Sequence, residues 1–425
     1  MATRFYNLSE VFGSWRESNA PTYVDRVGLD QRMHRMIHSG KHVVIHGGSK
    51  QGKSTLRKKF LPDLDCVVIR CTFGMTVEKI YLEILRQLHA DQLMQIQRAR
   101  SKNRNRKANG SGNFKIGEVG IGGGYEYLAG TSDNLSETRT PIGNDPQSLG
   151  FMIEEIKQKG ERIVIEDFHY IAEEEQKRLA FDLKAFWDCG VSLIICGIWH
   201  ENNRMTAFNG DLTGRVDEIN IHWPDKDLVE VIRKGENALN IRLSDEIRAD
   251  IIHDSHGNVG LLQLIAEKVC EAANIYHTQE KRVLIKRLDI LQESRERICE
   301  EQFGRYHAFY TIFTEPGRDG RLSMYEHILR ACIEHASDYE LMHGIRPEKI
   351  MQKIQMFQAD VRQSDITSAL QKINQQQGNL HISPLIFYYN RSAREMHLVD
   401  RDLLFYRKYH VRPWPWVDEV AGTNG

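Results

Sequence analysis

An α/β fold built on a parallel sheet, followed by a helical region and a smaller module of helices and a hairpin, follows from three features of the sequence. Short β-branched runs alternate with amphipathic helical stretches through the first half; strands vanish from about Asp225 onward; two strand-like runs return near the end, after three further helical stretches. Such alternation is what a parallel sheet covered by helices on both faces produces. The 425 residues leave room for about two to four units at roughly 100 to 200 residues each.

The first strand-like run, HVVIHGG from His42 to Gly48, passes directly into a glycine-and-lysine loop and the helical pattern STLRKKFL. A second run, CVVIRC at 66–71, precedes TVEKIYLEILRQLHA, whose apolar residues recur at three and four. The rhythm continues with SLGFMIEEIKQKG as helix, RIVIEDFHYI as strand, EEEQKRLAFDLKAFWDCG as helix and VSLIICGIWH as strand, and EINIHWP closes the series. These residues, 21–224, form the α/β core, and residues 1–20 precede it as an arm.

One segment, 97–145, breaks the rhythm: basic residues come first, then glycines, then polar residues. It is an insertion, read either as a surface segment without fixed structure or as a projecting β-hairpin around Gly122, Gly123 and Gly124. From Asp225 the stretches DKDLVEVIRKGENALN, DEIRADIIHDSHGN, VGLLQLIAEKVCEAANIY and RLDILQESRERICEEQF predict a helical lid over 225–300 without strands. Beyond Gly304, SMYEHILRACIEHAS, RPEKIMQKIQMF and RQSDITSALQKINQQQ precede PLIFYYN and EMHLVD, the pattern of a winged-helix-like module over 305–425.

Apolar residues make up 41% and charged residues 27%, ordinary globular usage, and no run of 18 or more apolar residues offers a membrane span. The first residues, MATRFYNLSEVFGSW, lack a secretory pattern, so a soluble protein of the cytoplasm is expected. The seven cysteines are scattered without a C-x-x-C pair and read as reduced core residues. Fifty-seven basic residues against 58 acidic give no global attraction to nucleic acid, so any such contact needs a local patch. His169, His253 and His256 lack metal-ligand spacing and read as structural.

Residues 47–54 read Gly47, Gly48, Ser49, Lys50, Gln51, Gly52, Lys53, Ser54, which fits G-x-x-x-x-G-K-[ST] between a β-branched strand and a helix. Glycines let the backbone aim N–H groups at phosphate oxygens, and the helix that opens near Lys53 and continues through Ser54 and Thr55 adds the positive end of its dipole. Lys53 is placed to neutralise the β- and γ-phosphates and the Ser54 hydroxyl to ligate Mg²⁺. Such a loop needs an acidic group at the tip of another strand, and RIVIEDFHYI supplies Glu166 for the metal side and Asp167 for the attacking water. ATP and Mg²⁺ are therefore the expected cofactors.

With these motifs in place, residues 20–290 resemble the AAA+ ATPases, in the branch that holds origin-recognition and transposon-encoded members. That family's usual order at the strand tip is aspartate then glutamate; Glu166–Asp167 reverses it. The resemblance implies that TYVDR at 22–26 contacts adenine through Val24 and Arg26, although a packed N-terminal linker has the same pattern. It places the sensor-1 residue among His200, Glu201, Asn202 and Asn203, with His200 and Asn202 favoured. It makes Arg215, just before the last core strand, an arginine finger for a neighbouring subunit in a homo-oligomer; a dipole partner or surface charge is the other reading of that arginine. At HGNVGLLQ, 256–263, the chain departs from the family, because Gly260 stands where an arginine commonly reaches the phosphates. A slow switch is expected in place of a processive motor.

The resemblance thus implies an oligomeric ATPase whose ATP-bound state organises a partner protein, an effector encoded beside it as in bacterial defence or mobile-element systems. A DNA-binding adaptor, akin to transposition regulators, is the alternative. A STAND-type signal switch is disfavoured because only residues 305–425 follow the ATPase core, too few for a long repeat array. For DNA the module offers Arg362, Gln363, Lys372, the Gln375–Gln377 run, Arg391 and Arg394, from which Asp365 and Asp400 subtract. The tract Arg98, Arg100, Lys102, Arg104, Arg106 and Lys107 is a second basic footprint, or a solvated loop.

Overall fold

The computed structural model describes residues 4–13, 21–26, 28–89, 146–199, 201–314, 323–414 and 416. The insertion at 97–145 with its basic tract, and His200, lie outside the described residues. The chain divides into two compact units, one of residues 31–46 and 60–220, the other of residues 1–30, 47–59 and 221–425.

In chain order the first elements are α1 (Leu8–Val11), α2 (Leu29–Ile37), β1 (His42–Gly47), α3 (Lys53–Phe60), β2 (Cys66–Arg70), α4 (Val77–Gln87), α5 (Pro146–Lys159), β3 (Arg162–Glu166), α6 (Glu173–Asp188), β4 (Leu193–Cys196), α7 (Arg204–Phe208) and β5 (Val216–Ile221). The five strands form one sheet in the order β2-β3-β4-β1-β5, and the β2–β3, β3–β4 and β1–β4 pairs are parallel. β1 and β4 are buried along their whole length, as strands covered on both faces must be. Val44, Ile69, Ile165 and Ile195 pack with Ile80 and Ile84 of α4 and Leu179, Leu183 and Phe186 of α6.

His42 shows how a polar residue is accommodated in that core. Its Nε2–H donates to the Leu183 carbonyl at 2.8 Å, and its Nδ1 accepts the Leu193 N–H at 3.0 Å. Burial pushes the imidazole down to about 4, so it serves as a neutral cross-brace.

The other unit continues with α8 (Asp225–Leu239), β6 (Ile241–Leu243), α9 (Asp245–Asp254), α10 (Val259–Ala272), β7 (Val283–Ile285) and α11 (Leu288–Phe313). The expectation of a lid without strands is corrected here, since β6 and β7 form a small parallel pair. Three-residue runs are too short to show alternation in sequence; the pair forms because Ile241, Leu243 and Ile285 bury together while the backbone of Leu243 donates to Glu236 at 2.7 Å. The arm is not separate: Leu8, Val11 and Phe12 lie in the same apolar core as α8 and α10. A Cβ on Gly235 of α8 would stand 2.1 Å from the Phe12 ring, so glycine there lets the aromatic seat.

The 26-residue α11 runs without a break through Gly304, across the expected bounds of lid (225–300) and module (305–425). The module then holds α12 (Met324–Arg330), α13 (Asp338–His343), α14 (Pro347–Ile354), α15 (Gln363–Asn379), the antiparallel hairpin of β8 (Phe387–Asn390) and β9 (Glu395–Leu398), and α16 (Asp402–Tyr409). An antiparallel bridge between Ile345 and Met396 adds a third line of pairing to the hairpin.

Gln377 is fully buried and fastens α15 to the hairpin: its Oε1 accepts from the Ile386 and Phe387 N–H groups at 3.0 and 3.1 Å, and its Nε2 donates to the Phe387 carbonyl at 2.8 Å. It is therefore removed from the surface run expected to face DNA. Asp400 is also buried, paired with Arg305 and accepting from the Tyr306 hydroxyl at 3.0 Å, so it does not offset the exposed Arg362, Lys372, Arg391 and Arg394.

Candidate functional site

The glycine-and-lysine loop at 47–54 holds positive φ at Gly47, Lys50 and Gly52. Gly47 sits at φ +141°, and a Cβ there would meet the Ile221 carbonyl oxygen at 2.5 Å, so no other residue fits. Lys50 holds φ +56°, and Lys53 opens α3. The Lys53 ammonium folds back over the loop, donating to the Gly48 carbonyl at 2.6 Å and the Gly47 carbonyl at 3.3 Å, while Ser54 is exposed. A lysine at a helix N-terminus beside a glycine-rich loop is chemistry suited to a phosphate chain.

The lid's α10 is pressed against this loop. Asn258 caps the helix, its Oδ1 accepting from the Gly260 and Leu261 N–H groups at 2.9 and 3.3 Å, and its Nδ2 donates to the Ser49 carbonyl at 3.4 Å. The Gly260 N–H donates to the Lys50 carbonyl at 3.2 Å. A Cβ on Gly260 would approach the Lys50 Cβ to 2.7 Å. The glycine that stands in place of an arginine thus has a steric cause: loop and helix meet there too closely for any side chain. Gly260→Ala is expected to cost about 1–3 kcal/mol of stability and to weaken nucleotide binding, checked by thermal melts with and without nucleotide.

Val24 and Arg26 lie in the same unit. Val24 is 5% exposed and belongs to the apolar core with α8 and α10. Arg26 is 8% exposed, its guanidinium 4.2 Å from the centre of the Trp223 ring, with Nε and Nη1 lacking hydrogen-bond partners among the described residues. Burial pulls its pKa down. The Trp223 indole N–H donates to the Gln51 carbonyl at 3.0 Å, and Gln51, 2% exposed, donates to the Gly257 carbonyl at 3.1 Å. Sequence reasoning does not single out Trp223 or Asn258. The available signals were an aromatic between the last core strand and Pro224, and an N-cap residue before an apolar helical run.

The remaining site residues belong to the sheet unit. Pairing of Arg70 with Glu166, and of Ile45 with Cys196, sets the C-terminal ends of β1, β2, β3 and β4 along one edge, the edge where parallel sheets bind ligands. Glu166 is buried there, with Arg70 Nε 3.7 Å from its Oε2. Asp167 follows, exposed, in the left-handed region at φ 57° and ψ 31°, a conformation that costs a non-glycine residue energy and concentrates at functional positions.

Asn202 is exposed and accepts from Asn220 of β5 at 3.3 Å, while Asn203 donates its N–H to Glu218 of the same strand. The loop that carries Asn202 is thereby tied to β5. Burial raises the Glu218 carboxyl above its ordinary range. Arg215 is half-buried, stacked 4.7 Å from the centre of the Trp187 ring and bonded to the Asp211 carbonyl. Among the described residues no group of three or more His, Cys, Asp or Glu side chains could hold a metal ion, and no helix is long and apolar enough to cross a membrane.

No family model and no curated protein matches the sequence. Solved structures do match in shape. The Walker-type ATPase PABY2304 of Pyrococcus abyssi is 13% identical with a TM-score of 0.53, covering 94% of this chain and 99% of its own. The Aeropyrum pernix Orc1 protein, solved in complex with DNA, is 9% identical with a TM-score of 0.42, covering 96% and 97%. Cdc6p of Pyrobaculum aerophilum is 13% identical with a TM-score of 0.40, covering 95% and 99%.

Proposed function

We propose that this chain, which has the fold of an AAA+ P-loop ATPase, binds MgATP at Gly47–Thr55 and hydrolyses it slowly as a switch within a homo-oligomer. The observation that carries the reading is the phosphate loop itself, with Gly47 forced to be glycine by the Ile221 carbonyl and the Lys53 ammonium folded over the loop carbonyls. In this reading the backbone N–H groups and Lys53 bind the phosphates, and Ser54 with Glu166 holds Mg²⁺ and its water shell. The metal supplies charge neutralisation between the β- and γ-phosphates. Asp167 orients the attacking water, Asn202 reports on the γ-phosphate, and Arg215 acts on the nucleotide of a neighbouring subunit after leaving Trp187. Val24 and Arg26 border the base.

Asp167→Asn tests the division of roles. It should leave nucleotide affinity within a few-fold of wild type and cut turnover by about 100-fold or more, measured by nucleotide titration beside steady-state phosphate release. Equal loss of affinity and turnover contradicts the assignment.

The module at 305–425, in which the helices α12 to α15 lead into the hairpin of β8 and β9, is read as a winged helix that passes the nucleotide state to a partner protein, an effector in a bacterial defence or mobile-element setting. A second reading, an ATP-dependent DNA adaptor, draws on one observation: Asp400 is buried against Arg305, while Arg362, Lys372, Arg391 and Arg394 are exposed, among the acidic Glu348, Asp365 and Glu395. Duplex affinity that falls steeply with salt would favour the adaptor.

A further inference from the structure

The module's last helix reaches the phosphate loop through an ion pair. Lys50 Nζ lies 2.5 Å from Oδ2 of Asp402, the first residue of α16. The two ends of this pair live in different surroundings: the lysine side chain is 43% exposed, whereas the aspartate side chain is fully buried, with its Oδ1 lacking a hydrogen-bond partner among the described residues. Two residues earlier, Asp400 is buried as well and bonded to Arg305 and Tyr306. Arg401 between them is half-buried and donates to the His256 carbonyl at 2.6 Å, on the turn whose Gly257 carbonyl accepts from Gln51. Two buried carboxylates therefore answer to two cations, Arg305 and Lys50, and one of those cations belongs to the phosphate loop.

We propose that the first turn of α16 is an internal competitor of nucleotide phosphate: Asp402 holds the charge of Lys50, phosphate draws that charge away, and the turn loosens in response. The inference rests on the reading of Gly47–Ser54 as a phosphate site and names how that site is regulated. Its physical basis is that a buried carboxylate deprived of the cation it is paired with is strongly disfavoured, so the docked turn and bound phosphate cannot both keep Lys50. Linkage then requires reciprocity: whatever weakens the Lys50–Asp402 pair strengthens nucleotide binding, and bound nucleotide weakens the pair by the same factor. This gives the C-terminal module a direct route by which to sense the nucleotide.

The test is titration of ADP and of ATP into the full chain for wild type, Asp402→Asn, Lys50→Gln and the double variant. Asp402→Asn should bind both nucleotides more tightly, by about fivefold or more. In the Lys50→Gln background the same Asp402 substitution should change affinity by less than about twofold, because the competed charge is gone. A purely structural role for Asp402 predicts no dependence on Lys50. A second measurement on the unaltered protein holds even if a variant fails to fold: amide exchange over Asp402–Phe405 should accelerate when nucleotide saturates. Wild type that binds no nucleotide overturns the phosphate-site reading and the competition with it. Wild type that binds, with Asp402→Asn no tighter and exchange in α16 unchanged, overturns the competition and leaves the phosphate site standing.

Discussion

Lys53→Ala is expected to lower affinity for ATP by at least about tenfold, the value of a hydrogen bond from a charged group, and to reduce turnover by on the order of 100-fold or more. The side chain's position explains both numbers. Its ammonium rests on the Gly47 and Gly48 carbonyls, from where, in the proposed reading, it would present a full positive charge to a phosphate chain bound in the loop. Alanine removes that charge and keeps α3, since Lys53 is the first residue of the helix and alanine is a good helix former. Titration calorimetry and steady-state turnover, with circular dichroism as the folding control, check the prediction.

The second large effect concerns stability. Asp254 ends α9 fully buried, and Arg295 of α11, with Nε at 2.9 Å, and Lys408 and Tyr409 of α16, at 2.9 and 2.7 Å, converge on it, with His253 Nδ1 3.4 Å away. Burial alone raises this carboxyl, but Tyr409, Lys408 and Arg295 together outweigh it and hold the group below the ordinary 3.8. Asp254→Ala removes the buried anion shared by Arg295, Lys408 and Tyr409 and leaves the partly buried Arg295 with Asp250 alone, a loss of about 2–3 kcal/mol, on the order of 5 °C in melting temperature. The sign of the pH dependence follows from the depressed carboxyl. Its contribution is fully present above 3.8 and is lost as pH falls through the lower folded value. Thermal melts of wild type and variant should therefore converge at acid pH.

The sheet was legible because its signal is local. Each strand is a short β-branched run, and buried parallel strands need no partner information to be recognised. The phosphate loop was legible for the same reason, since its glycines and lysine are contiguous. The β6–β7 pair was not: Ile241–Leu243 and Val283–Ile285 are short runs far apart in sequence, and their pairing depends on the helices between them. α16 was missed because DLLFYRKY follows a strand-like run directly and carries no strong cap.

Long-range electrostatics was hidden altogether. Asp400 and Asp402 look like surface charges in the sequence, and only tertiary structure shows that both are buried and answered by Arg305 and Lys50. Gly260 is the reverse case. Its oddity was visible in the sequence, but the cause, a close approach to Lys50, was not.

The central claim, catalysis that depends on assembly, is tested most directly by the ATPase rate per subunit as protein concentration is raised, for wild type, Lys53→Ala and Arg215→Ala, with size-exclusion chromatography alongside. The rate per subunit should rise with concentration as the oligomer forms. Lys53→Ala should be inactive throughout, and Arg215→Ala should assemble yet lose on the order of 100-fold or more in rate, as removal of a transition-state cation does. A rate per subunit that stays flat, with Arg215→Ala as active as wild type and Lys53→Ala inactive, would contradict the account and leave a monomeric P-loop switch.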